Sequence, residues 1–426
     1  TGTQYTNSSI NTADVNLYAK WTYNSSSGGG GSSSTPATPA LPIYKADVKA
    51  ENGTDTVLPV KVDVGDGTAS VEAEEQSLAQ GGTVITIPSI PGVATYSAGI
   101  PVPVLATTDV KGTLTLDTDA GSITVLSNML TGVANTDGNK AQITIGRGDK
   151  SNLPEDVKNI IGDRPLIQLT LSIDGRQIDW SNPDAPVTIS IPYAPTEVEL
   201  ANQESIVIWY IDGSGNITTI PNGCYNPYMG TVTFRTTHFS EYAVAYNKVK
   251  LNDVPAGAWY APAVSFIAAR EITTGTGDGK YSPNTQLSRG EFIVLMMRAY
   301  GIAPDTSSAD NFSDAGNTYY TGFLAAAKQL GITAGVGNNK FAPKKEITRQ
   351  EMFTLLYNAL KVIGQLPEDV SGKEISDFHD AGQVDPWAKD AISMLIRADV
   401  INGSNGKLSP LKTTTRAEIA QVLYNL

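Results

Sequence analysis

At 426 residues the chain is too long for one ordinary hydrophobic core, so two or three domains are expected. Lys plus Arg total 30 against 43 Asp plus Glu, a formal charge of -13, which argues against nucleic acid as a partner because no basic excess exists to displace counterions. Cys224 is the only cysteine, which excludes an intramolecular disulfide, and 18 Tyr, 40 Gly and only 17% charged residues suit a secreted, strand-rich surface protein. No run approaches the roughly 20 apolar residues of a membrane span, so no membrane insertion is expected.

The chain opens on TGTQYTNSS, without an initiator Met or a charged-then-apolar leader, and reads as a fragment or a processed form. Residues 1–22 end in Val15-Asn16-Leu17-Tyr18-Ala19-Lys20-Trp21, which resembles the last strand of a Listeria–Bacteroides β-repeat. Residues 23–42 form a linker whose Gly/Ser half is flexible and whose Thr-Pro half is stiffer.

From 43 to 247 the pattern is β. Strands are predicted at Val84–Ile87, Thr113–Leu116, Leu166–Ile173, Val187–Ile191, Ile206–Ile211, Thr231–Phe234 and Tyr242–Tyr246, between turn signals such as Asp212-Gly213 and Asn222-Gly223. One short helix is predicted at Pro154–Ile161. Short strands at this spacing predict a β-sandwich-like domain. No catalytic or metal-ligand spacing of carboxylates, His or Cys occurs in it, and no cofactor is expected.

From 248 onward the chain is helical and repetitive. LSRGE (287–291), ITRQE (347–351) and TTRAE (414–418) each open an apolar i, i+3, i+4, i+7 face. The arginines lie 60 and 67 residues apart, which defines three modules at 248–305, 306–370 and 371–426. Each module reads as helix, glycine-rich loop, helix.

Ser288, Thr348 and Thr415 stand at N-cap positions, with Glu291, Glu351 and Glu418 at capping-box spacing. Capping leaves Arg289, Arg349 and Arg416 unexplained, because the dipole at a helix N-terminus favours anions. A guanidinium fork beside free backbone N–H groups suits a carboxylate ligand; an ion pair with a neighbouring repeat's acid is the alternative. Asp253, Asp314 and Asp380 precede the first helix of each module as ordinary N-caps, and Trp259, Tyr320 and Trp387 follow as core staples or as a sugar-binding wall. Gly275, Gly335 and Gly403 fit helix C′ positions and would also let a ligand approach the backbone.

Together these residues resemble three tandem S-layer homology (SLH) domains, whose signature is an F-x-D opening, an aromatic start to the first helix, a G-x-G-x-G-x-F-x-P loop and an I-T-R-A-E helix start. The resemblance implies an all-α, pseudo-threefold repeat domain with the arginine-led helices at its centre. Grooves between neighbouring repeats would bind the pyruvylated amino sugar of a secondary cell-wall polymer. It places Arg289, Arg349 and Arg416 on the ketal carboxylate, with Asp253, Asp314, Asp380, Trp259, Tyr320, Trp387, Gly275, Gly335 and Gly403 lining the grooves. Departures at Leu251, at Tyr320, at Asn338-Asn339 and at His379, and a missing glycine in the third loop, would leave one groove weak or silent.

His238-Phe239-Ser240 is the other motif, and the stretch from about 187 to 247 resembles the last strands of ZU5/GAIN-type domains, some of which cleave themselves before such a Ser. An ordinary closing strand is the preferred reading, without cleavage. The sequence thus predicts an extracellular, non-catalytic anchor of a surface or S-layer protein. It would be held to the wall by a pyruvylated polysaccharide, with other surface-layer subunits as further partners. The alternatives are an adhesin or autoprocessing β domain, or the anchor tail of a surface glycoside hydrolase.

Overall fold

The computed structural model describes residues 43–51, 55–75, 78, 81–108 and 112–425. The expected β-repeat end and linker lie outside them. The first part of the described chain contains two sheets. One runs in the order Cys224–Asn226, Thr231–Thr236, Val187–Pro192, Gly121–Leu126, Thr113–Thr118, Gly82–Thr86, Lys45–Ala50, Asp55–Pro59. The other runs Ile217–Ile220, Ile206–Ile211, Glu241–Tyr246, Leu166–Ile173, Lys140–Arg147, Thr95–Pro101, Thr68–Glu72, Lys61–Asp63, with Arg176–Ile178 paired beside Leu166–Ile173. Pairing is antiparallel except for Gly82–Thr86 with Thr113–Thr118 and Thr68–Glu72 with Thr95–Pro101.

Alternation explains the layering. Ile189 and Ile191 on one sheet and Ile143, Ile145, Leu169 and Leu171 on the other are buried in the same apolar core, while their intervening neighbours are not. Tyr96, Trp180, Phe234 and Tyr242 fill the largest spaces in it. All seven predicted strands are present, as is the helix, at Glu155–Ile161. Its apolar side and the outer residues Val207, Trp209, Ala243 and Ala245 of the second sheet form a smaller cluster that also takes in Ala269 of the helical block.

Each repeat of that block supplies two helices. The first members are Ala261–Ala269, Thr321–Gln329 and Lys389–Arg397; the arginine-led members are Arg289–Ala299, Arg349–Val362 and Arg416–Tyr424. Complete capping boxes start all three arginine-led helices, at Ser288/Glu291, Thr348/Glu351 and Thr415/Glu418. The block is not helix alone, because the segments entering these helices are extended and carry free backbone groups that must be paired. They pair with one another: Leu287 N donates to Thr414 O, Thr414 N to Ile347 O, and Ile347 N to Leu287 O, a cycle through all three repeats.

The two parts are joined by a buried guanidinium. Arg270, 3% exposed at the end of the first helix, donates to the carbonyls of Glu204, Ile206 and Gly223 and stacks 3.6 Å over Phe266. Arg270→Ala would leave three β-domain carbonyls without this donor, so we expect a loss of about 3–5 kcal/mol. Urea denaturation of the full chain measures it, and an unchanged midpoint would refute the joint.

Candidate functional site

The loops that carry the site are shaped by Asp253, Asp314 and Asp380. Each carboxylate accepts two consecutive backbone N–H groups, from Tyr281 and Ser282, Phe341 and Ala342, and Leu408 and Ser409, at 2.8–2.9 Å. Ser282, Ala342 and Ser409 have φ of 59°, 57° and 53°, so the carboxylate holds a non-glycine residue in the left-handed region. Burial alone would raise the pKa of Asp380; the bonds from Leu408 and Ser409 outweigh it and hold the group below its usual range. These three carboxylates are thus engaged within their own repeats.

The glycines do not close helices. The left-handed residues after the first helices are Glu271, Gly331 and Asp399, whereas Gly275, Gly335 and Gly403 come four residues later at the loop entrance. A Cβ on Gly275 would lie 2.3 Å from the Lys280 carbonyl, and one on Gly335 would lie 2.2 Å from that of Lys340.

The arginines reach across to the next repeat in a cycle. Arg289 Nε donates to Phe341 O, Arg349 Nε to Leu408 O and Arg416 Nε to Tyr281 O, at 2.8–2.9 Å. Arg289 also pairs with Glu351 at 3.0 Å, and Arg416 with Glu291 at 3.5 Å. Each of these glutamates therefore serves its own helix cap with one oxygen and the preceding arginine with the other. Burial lowers the pKa of Arg289 and Arg349, with Glu351 and Glu418 respectively opposing it. For Glu351 and Glu418 burial acts upward, but the N-cap backbone bonds and the neighbouring cations prevail and lower both.

Three grooves open beside these arginines, and each draws on all three repeats. Arg289, Gly335 and Trp387 line one of about 410 Å³; Arg349, Gly403 and Trp259 line one of about 540 Å³; Arg416, Gly275 and Tyr319 line one of about 430 Å³. Trp259, Tyr319 and Trp387 are 62%, 62% and 53% exposed, an unusual state for such large rings. The expected Tyr320 is instead buried, against Gly290, and its neighbour Tyr319 holds the groove position. In Trp259-Tyr260 and Tyr319-Tyr320 the first ring is outside and the second residue stands at the helix N-cap position, and this one-residue offset was the available signal.

With this geometry in hand, comparison with known proteins is specific. Residues 250–293, 311–353 and 377–420 match the S-layer homology domain family. The C-terminal part of the chain carries three tandem SLH domains. The chain is 28% identical over 290 residues to an amylopullulanase of Thermoanaerobacterium thermosulfurigenes, covering 68% of this chain and 15% of that protein. It is 29% identical over 171 residues to the S-layer protein EA1 of Bacillus anthracis, 40% of this chain and 19% of that one. It is 28% identical over 230 residues to the exoglucanase XynX of Acetivibrio thermocellus, 54% of this chain and 20% of that one. The chain thus spans a fifth or less of these relatives.

Among the described residues no helix is long and apolar enough to cross a membrane, and no group of three or more His, Cys, Asp or Glu is placed to hold a metal ion. At His238-Phe239-Ser240, Nε2 of His238 is buried without a hydrogen-bond partner and the Ser240 hydroxyl points to Ile211 O at 3.5 Å. Burial lowers the pKa of His238, with Asp179 opposing. Phe239 packs on Trp180, and the Tyr242 hydroxyl donates to His238 O, the contacts of a pinned strand entrance. We expect one intact mass for freshly denatured protein; fragments split between Phe239 and Ser240 would refute this.

Acid should loosen the repeat block. Glu351, Glu418 and Asp380 have folded pKa values depressed below unfolded ones of about 3.9–4.3. Their contribution is therefore complete above that range and is lost as pH falls through the lower folded values. Thermal melts of the full chain should fall modestly as pH drops through about 6.5, where His238 takes up a proton readily only when unfolded, and fall further below about pH 4 as the carboxylates protonate. A melting temperature independent of pH there would contradict the network.

Proposed function

We propose that this chain is a non-covalent anchor of an extracellular surface protein, with the SLH domains holding it to a polysaccharide of the bacterial cell wall. The observation that carries the reading is the composite groove: an arginine from one repeat, a glycine-entered loop from the next and an exposed aromatic ring from the third, three times over. An aromatic face packs on the apolar face of a sugar ring, and a guanidinium fixes an anionic substituent by charge-assisted hydrogen bonds. We propose a pyruvylated amino sugar as that ligand, bound by Arg289, Arg349 and Arg416 and by Trp259, Tyr319 and Trp387.

The finer architecture belongs to this reading. We take the two sheets over 43–247 as a sandwich acting as a spacer, and the repeats at 248–305, 306–370 and 371–426 as a pseudo-threefold block, supported by the cyclic hydrogen bonds of Leu287, Ile347 and Thr414. No part of the described chain is assigned a catalytic role. The relatives named amylopullulanase and exoglucanase favour a second reading, in which the same anchor belongs to a polysaccharide-acting enzyme whose catalytic part lies elsewhere. Relatives named S-layer protein favour other surface-layer subunits as neighbours.

The test is cosedimentation of the full chain with purified cell-wall sacculi. We expect retention on intact sacculi and release from sacculi stripped of their secondary polymer. Equal retention on both would refute polymer binding.

A further inference from the structure

The three grooves are not equivalent in what already occupies their arginines. In two of them the guanidinium is satisfied from within the protein. Arg289 has the Glu351 carboxylate at 3.0 Å and lies 4.5 Å over the Phe341 ring; Arg416 has the Glu291 carboxylate at 3.5 Å, lies 4.8 Å over Tyr281 and reaches the Thr273 hydroxyl at 3.5 Å. Both residues are at most 5% exposed.

Among the described residues the Arg349 side chain makes one hydrogen bond, from Nε to Leu408 O. The third repeat has Leu408 where the first two have Tyr281 and Phe341, and Ile401 where they have Thr273 and Thr333, so it offers neither ring nor hydroxyl. Arg349 rests instead over Phe353 of its own helix, 5.3 Å away. Its Nη groups make no ion pair with Glu418; that carboxylate bonds its cap and Lys412 at 3.3 Å, as Glu351 bonds its own cap and Lys345 at 3.1 Å, but only Glu351 also reaches the arginine of the preceding repeat.

The surrounding charge differs in the same direction. The Arg349 groove is lined by three cations, Arg349, Lys407 and Lys412, against the single acid Glu418. The Arg289 groove holds one cation against Glu351, and the Arg416 groove holds Arg416 and Arg298 against Glu291. The most cationic of the three grooves also has the largest volume, about 540 Å³, and its wall is the indole of Trp259.

We propose that the groove of Arg349, Trp259, Lys407 and Lys412 is the principal anionic-sugar site of this chain, and that in the Arg289 and Arg416 grooves the capping-box glutamate occupies the arginine as an internal competitor. A ligand carboxylate entering those two must displace Glu351 or Glu291, whereas in the third it meets free Nη donors and two lysines. The inference rests on the anchoring function proposed above.

Calorimetric titration of the full chain with a monosaccharide bearing a pyruvate ketal tests it. The wild-type chain should show one tight site. Trp259→Ala, a change at a side chain 62% exposed, should weaken that site about tenfold, the loss of one good ring contact, and by more than Trp387→Ala does. Glu351→Gln should add a second tight site, because glutamine still accepts the Thr348 cap bond while releasing Arg289. Three equal sites in the wild-type chain, a larger loss from Trp387→Ala, or no site gained in Glu351→Gln would each overturn the ranking. Failure of the wild-type chain to bind the ketal at all, with retention on intact sacculi preserved, would overturn the ligand assignment itself.

Discussion

The structure depends on a closure that no single repeat can make. The backbone bonds from Leu287 to Thr414, from Thr414 to Ile347 and from Ile347 back to Leu287 run in one direction around three segments. The guanidinium bonds of Arg289, Arg349 and Arg416 to the following loop run around the same three repeats in the opposite sense, from the first to the second, the second to the third and the third to the first. A repeat taken alone would expose the extended approach to its arginine-led helix and leave a buried cation without its carbonyl. Such groups cost free energy when unpaired, so the three modules form one cooperative unit rather than beads on a string.

That closure makes the grooves. Because each arginine points forward into the next repeat, the space beside it is bounded by the next repeat's glycine loop and by the exposed aromatic of the remaining one. The aspartates contribute indirectly. By gripping consecutive N–H groups they fix the loop that presents a carbonyl to each arginine, for example Asp380 on Leu408 and Ser409 beside Arg349. A site assembled this way couples binding to integrity of the block, since the guanidinium that would meet a ligand also helps hold two repeats together.

Much of this was legible in the sequence. The repeat period, the apolar faces of the arginine-led helices and the capping boxes are local signals of spacing, and seven strands followed from β-branched runs between turns. Strands such as Thr95–Pro101 and Lys140–Arg147 were missed because Gly99, Pro101 and Gly146 interrupt their pattern, although cross-strand pairing holds them. The site was read less well for a different reason. Arg416 finds Tyr281 at a separation of 135 residues, a partnership that no local pattern encodes. Spacing alone allows both an ion pair with a neighbouring repeat and exposure to a ligand for the arginines, and the geometry places Arg289 and Arg416 in ion pairs on the walls of open grooves.

Position in the cycle also sets what each repeat can spare. The first helix of repeat one ends in Arg270, where repeats two and three have Leu330 and Ala398. A cation at a helix C-terminus is favoured by the dipole, and here it gains the carbonyls of Glu204, Ile206 and Gly223 as well. Asn247 adds a bond to Ala269 O, and the Tyr424 hydroxyl at the end of the last helix reaches Glu204. The β domain is therefore tied to the first and last helices of the block at once, across the point where the chain enters the cycle and the point where the third repeat completes it. A load on the β domain is borne by both ends of the cycle at once rather than by one repeat.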